Sequence, residues 1–72
     1  MKFGAIVKRV RSELSLSQEQ LARELNISFS TINRWENGKS QPSQMAKELF
    51  FSYCISQNID PKLYVGGENT DD

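Results

Sequence analysis

Apolar residues recur along this chain at helical rather than strand intervals. Phe3, Ile6, Val7, Val10 and Leu14 stand three and four apart, which predicts a first amphipathic helix whose polar side carries Lys8, Arg9 and Arg11. Leu21 and Leu25, then Ile32 and Trp35, with Ile27 between them, mark two further short stripes facing one core. Past the Lys39-Ser40-Gln41-Pro42 loop, Met45, Leu49 and Tyr53 form one stripe of a fourth helix, with Ala46, Phe50 and Cys54 beside it. Phe51 widens that apolar face, and is either a singly exposed aromatic or, the reading favoured, part of a partner surface. Asp60 followed by Pro61 is a cap and first-turn pair, starting a short last helix through Lys62, Leu63, Tyr64 and Val65. Strand signals are almost absent, so the expected fold is all-α, a compact five-helix bundle.

Start and stop signals sharpen the middle of this pattern. Ser17 is a good N-cap, and Gln20 three residues later can reach back to complete a capping box. Leu16 before the cap and Leu21 after it make a hydrophobic staple. The device repeats, with Ser28 as cap and Ile27 stapling onto Ile32, and Ser43 caps the fourth helix. Asn26 falls where the second helix must end in a left-handed residue, and Gly38 follows Asn37 at the end of the third. Two short helices, each with its own cap and stop, are joined by too few residues for anything but a sharp turn. That is a helix-turn-helix.

The second of those helices, residues 29–37, turns Ile32 and Trp35 inward. On its other side lie Ser30, Asn33, Arg34 and Asn37, again three and four apart, with Phe29 at the first turn. Hydrogen-bonding side chains with one Arg are what base edges and phosphates require in the major groove of DNA. Arg34 is the strongest base-reading candidate, because its fork can pair with guanine O6 and N7. Phe29 has two readings of equal weight, packing on a thymine methyl or sugar edge, or capping the local core.

From about Ile6 to Val65 the chain resembles the phage-repressor family, the lambda-repressor-like, Cro-like or XRE helix-turn-helix domains. The resemblance is carried by Leu16-Ser17-Gln18-Glu19-Gln20-Leu21-Ala22, by Asn26-Ile27-Ser28, by Ile32-Asn33-Arg34-Trp35-Glu36-Asn37-Gly38-Lys39 and by Pro42-Ser43. It implies that Gln18 contacts phosphate and braces the reading helix, and that Phe29, Ser30 and Arg34 face base edges. It further implies that Asn37 and Lys39 hold the DNA backbone, that Arg11 lies near it, and that Arg11 and Glu36 form an ion pair between the first helix and the end of the third. A polar residue is usual where this chain has Phe29.

At 72 residues there is room for one domain, set at residues 1–65, with residues 66–72 an acidic tail expected to be disordered. No apolar run approaches a membrane span, and the start has no signal-peptide core. Cys54 is single, which excludes a disulfide framework and suits the cytoplasm; it reads as a buried small hydrophobe. With no His and with scattered carboxylates, no catalytic or metal constellation is expected, and neither a cofactor nor a small-molecule effector site is evident. Glu19 and Arg23 are placed to pair at i,i+4. Net charge is zero, yet residues 1–39 hold seven basic against four acidic side chains, and residues 40–72 two against five. The basic part contains the reading helix.

The reading is a cytoplasmic prokaryotic or phage-encoded regulator, not an enzyme. It binds double-stranded DNA sequence-specifically as a repressor. Ser30, Asn33, Arg34 and Phe29 would face bases, and Gln18, Asn37, Lys39 and Arg11 phosphates. A homodimer is expected through the fourth helix and C-terminal region, since such readers commonly bind paired half-sites about 34 Å apart. The alternatives are a protein-interaction module on the same fold, favoured by zero net charge and Phe29, or the DNA-targeting subunit of a toxin-antitoxin, restriction or phage system. The chain reads equally well as a complete product or as a fragment of a longer one.

Overall fold

Helix periodicity and caps translate into four helices in the computed structural model, which describes residues 2–60. They are α1 (Phe3–Glu13), α2 (Gln18–Leu25), α3 (Phe29–Glu36) and α4 (Gln44–Ser56). The expected helix after Pro61 and the acidic tail lie outside the described residues. Among the described residues the count is four helices and no strand.

Caps form as their residue types require. Ser17 Oγ accepts from the Gln20 amide at 3.1 Å while Gln20 Oε1 accepts from the Ser17 amide at 2.8 Å. Ser28 and Ser43 cap α3 and α4 through the amides of Thr31 and Ala46. The C-terminal ends share one geometry. In each, a left-handed residue (Ser15, Asn26, Gly38 or Asn58) is followed by one whose amide donates to the carbonyl five positions back. Those bonds are Leu16 to Arg11, Ile27 to Ala22, Lys39 to Arg34 and Ile59 to Cys54, all at 2.9 Å. Each satisfies an otherwise orphaned helix carbonyl. Leu16, Ile27 and Ile59 also pack against the core.

α3 is the middle of the packing, in contact with both α1 and α2, while α4 closes over α2. Ile32 and Trp35 of α3 meet Val7 and Val10 of α1 and Leu21 and Leu25 of α2 in one core that also takes Phe50 and Cys54. Phe3 joins the helices edge-on: its ring stands 5.2 Å from Trp35, 5.4 Å from Phe50 and 6.0 Å from Phe51. Phe51 is thus half-buried in the aromatic cluster, with part of its ring left exposed. The core face of α4 centres on Phe50 and Cys54, so Met45 and Leu49 point outward, 79% and 42% exposed. The Cys54 thiol is fully buried, and burial pushes it up to about 11.

Two contacts set α3 against α1. At Gly4 the helices approach so closely that a Cβ there would stand 2.0 Å from the Trp35 carbonyl oxygen and 2.9 Å from its carbon. Further along, Arg11 grips Glu36 with both prongs, Nε to Oε2 at 2.8 Å and Nη2 to Oε1 at 2.9 Å. Its Nη1 donates to the Leu16 carbonyl at 3.1 Å, tying the same guanidinium to the α1–α2 turn. The Glu36 side chain is 3% exposed. Burial alone would push its carboxyl up, but hydrogen bonds from Arg11 and Gln18, with the charges of Arg11 and Lys8, hold it below its ordinary value. The hydrogen bond to Glu36 raises Arg11 in turn, against its own burial. On the surface, Arg9 and Glu13 pair at 3.3 Å, whereas the expected Glu19–Arg23 pair is not closed.

Stability should respond at both contacts. Gly4→Ala should destabilise the domain, because the clash is with backbone: overpacking costs about 1–3 kcal/mol, and the gain in helix propensity offsets about 1 kcal/mol. Thermal unfolding reads the difference, and an unchanged midpoint would refute the close approach. A carboxyl held below its unfolded value contributes stability that is complete above that value and lost as the pH falls through the folded one. The advantage of the native chain over Glu36→Gln should therefore be constant above about pH 4.5, the ordinary carboxyl value, and shrink below it. Urea unfolding at a series of pH values measures this. An advantage independent of pH would mean that the ionised pair is not what stabilises.

Candidate nucleic-acid interface

With Ile32 and Trp35 buried, helical spacing leaves Phe29, Ser30, Asn33, Arg34 and Asn37 on the opposite arc of α3. Arg34 is exposed and makes no hydrogen bond or ion pair with any described residue. Ser30 is exposed beside the N-cap, its hydroxyl 3.3 Å from that of Ser28. Phe29 is 47% exposed and is not among the side chains packed on the core, so the local-core reading of this ring does not hold. Lys39 is exposed just past Gly38, whose φ of +71° turns the chain away from α3.

The other expected contacts are committed inside the protein. Gln18, the first residue of α2, donates from Nε2 to Glu36 Oε1 at 2.9 Å. Its Oε1 accepts from Asn33 Nδ2 at 3.2 Å, and Asn33 Oδ1 accepts from Asn37 Nδ2 at 3.1 Å. Gln18 and Asn33 are half-buried and Asn37 is exposed. Three of the five guanidinium N–H groups of Arg11 are likewise taken. The structure thus separates the expected site into two sets. Phe29, Ser30, Arg34 and Lys39 stand out toward solvent. Arg11, Gln18, Asn33, Glu36 and Asn37 form one bonded network that ties α1, α2 and α3 together.

Two basic residues at the same end of the molecule were missed in the sequence. Lys2 and Lys47 line a shallow groove with Phe3, Trp35, Ser40 and Gln41, between the start of α1 and the loop after α3. No local signal pairs these lysines; the fold alone brings positions 2 and 47 to the loop that holds Lys39. None of the described helices is long and apolar enough to cross a membrane.

A helix-turn-helix family model matches residues 7–46, the span from the middle of α1 into α4. The chain is also similar to the HTH-type transcriptional activator BcrR of Enterococcus faecalis, 35% identical over 60 residues that make up 79% of this chain and 29% of that protein. The chain therefore spans less than a third of the length of this relative. No solved structure is matched. The family match covers the turn, both its helices and the network that braces them, and the chain belongs to the XRE-type helix-turn-helix family of DNA-binding proteins.

Proposed function

We propose that the chain is the reading head of a transcriptional regulator, binding double-stranded DNA sequence-specifically with α3 in the major groove. The observation that carries this is the separation on α3: Arg34, Ser30 and Phe29 stand exposed on one arc while a half-buried network holds the helix in place. Arg34 chooses guanine through O6 and N7, Ser30 reads a neighbouring base edge, and Phe29 packs on a thymine methyl or sugar edge. Lys39, Asn37 and the spare N–H groups of Gln18 and Arg11 face phosphates, with Lys2 and Lys47 extending the basic rim. Repression by occlusion asks only for tight seating over a site, and that is the sense we assign to this domain acting alone. The relative named as an activator has most of its length outside the matched stretch. A cytoplasmic setting accords with this role.

A homodimer on paired half-sites belongs to the same reading. It is supported by Met45 and Leu49, one turn apart on the outer side of α4 and exposed although apolar. A protein-interaction module remains the rival, with the same α4 face as its working surface.

Selection from a randomised duplex pool at near-physiological salt should enrich a motif with the native chain, and Arg34→Ala should blur one position of it. Lys39→Ala should weaken all sequences alike and lower the salt slope by about 1. If both variants merely scaled binding, this division of labour would fail; if nothing were enriched, the interaction module would take its place. Leu49→Lys should turn a palindromic motif into a half-site and leave a monomer in sedimentation. A native chain already monomeric on and off DNA would remove the dimer.

A further inference from the structure

We propose that buried Glu36 sets the donor–acceptor direction of a chain of three side-chain amides, Gln18, Asn33 and Asn37, and that Asn33 is a positioning residue for the reading face rather than a base reader. The inference rests on the DNA-binding reading for its consequence but not for its geometry.

A side-chain amide is ambiguous by a half-turn, because its oxygen and nitrogen exchange places with little change of shape. Here the ambiguity is removed from one end. An ionised carboxylate only accepts, so Gln18 must present Nε2 to Glu36, at 2.9 Å. Its oxygen then faces away and can take only a donor, which Asn33 Nδ2 supplies at 3.2 Å. Asn33 Oδ1 is left facing Asn37 and takes its Nδ2 at 3.1 Å. Turning over any one amide would bring oxygen against oxygen or N–H against N–H at its neighbour, so the three hold one orientation together. Arg11 completes the device by occupying both carboxylate oxygens from the other side.

Two consequences reach the surface. Each amide keeps one spare N–H, and the Asn37 oxygen is the one carbonyl of the three without a donor among the described residues. The edge beside the reading arc therefore offers N–H groups to phosphate or base acceptors, an ordering imposed by a carboxylate that is itself almost wholly buried. Asn33, half-buried with both ends of its amide engaged, links the first residue of α2 to the cap of α3 and so holds α3 at its angle across the turn.

The test has two readouts on the full chain. In the DNA-free protein labelled with 15N, Asn33→Ala should shift the side-chain NH2 signals of both Gln18 and Asn37. Glu36→Gln leaves one acceptor oxygen for Arg11 and Gln18 to share and sets an N–H against Arg11, so it should loosen the imposed orientation and move the signals of Gln18, Asn33 and Asn37 together; in the Asn33→Ala background it should move Gln18 and leave Asn37 still. On duplexes carrying the selected motif and its single-base variants, Asn33→Ala should weaken every one by the same factor, roughly three- to tenfold, the worth of one or two hydrogen bonds. A change of preference at any base position would overturn the proposal, as would amide signals of Gln18 and Asn37 that do not respond to Asn33→Ala. Should the native chain bind no duplex above a random-sequence control, the DNA reading fails, and the amide signals alone decide whether the directed chain exists.

Discussion

A carboxylate taken out of water is the constraint on which this domain turns. Glu36 ends α3, and its side chain is almost wholly buried, where an unpaired charge would cost several kcal/mol. The neighbours that relieve the charge come from two other helices: Arg11 and, more remotely through its field, Lys8 from α1, and Gln18 from the start of α2. The charge therefore selects the relative placement of three helices, because only one arrangement brings these donors to it. Apolar burial is non-directional and would tolerate α3 rotated or slid by a little. A bidentate grip is not tolerant in that way. The core supplies cohesion; the ion pair supplies register.

Gly4 makes the same register possible from the other direction. The Arg11–Glu36 distance can close only if the two helices lie near one another along their length, and at Gly4 the missing Cβ lets α1 rest on the Trp35 carbonyl. Phe3 then reaches Trp35, Phe50 and Phe51 from the adjacent position. One residue without a side chain and the next with a large one together bring the beginning of α1 against both α3 and α4.

What the sequence made legible was whatever is local. Ser17 with Gln20, Ser28, Ser43, Asn26 and Gly38 each carry their mechanism within a few residues, and the structure places each as read. Ser15 and Asn58 also take left-handed φ, and neither was foreseen, since Ser is a poor choice for that conformation. The next residue held a usable signal: Ser15, Asn26 and Asn58 each precede an aliphatic residue that donates to the carbonyl five back and packs on the core. The inward face of α4 was not legible for a different reason. Thirteen residues with apolar side chains nearly all round leave two candidate stripes, and only the position of Phe3 and of α2 decides that Phe50 and Cys54 go inward and Met45 and Leu49 outward. The Arg11–Glu36 pair became legible through family resemblance, because nothing local joins positions 25 apart.

Composition misled most where surface matters. Division of the chain at position 39 puts Lys47 with the acidic part, yet the fold returns it to a groove with Lys2 beside the loop of Lys39. Neutral net charge is then compatible with a locally basic rim, because attraction to phosphates within a Debye length, about 10 Å at 0.1 M salt, depends on which charges share a face. The same reasoning separates the polar residues of α3. Spacing alone puts Asn33 and Arg34 on one arc and makes them equal candidates for base contact. The hydrogen bonds make them unequal: Asn33 is bound at both ends of its amide, while Arg34 makes no such bond among the described residues. A side chain that must break two internal bonds to meet a base gains little net free energy by doing so, whereas one solvated beforehand exchanges water for the base edge. Choice of sequence therefore falls to the exposed members of the arc, and constancy of pose to the bonded ones.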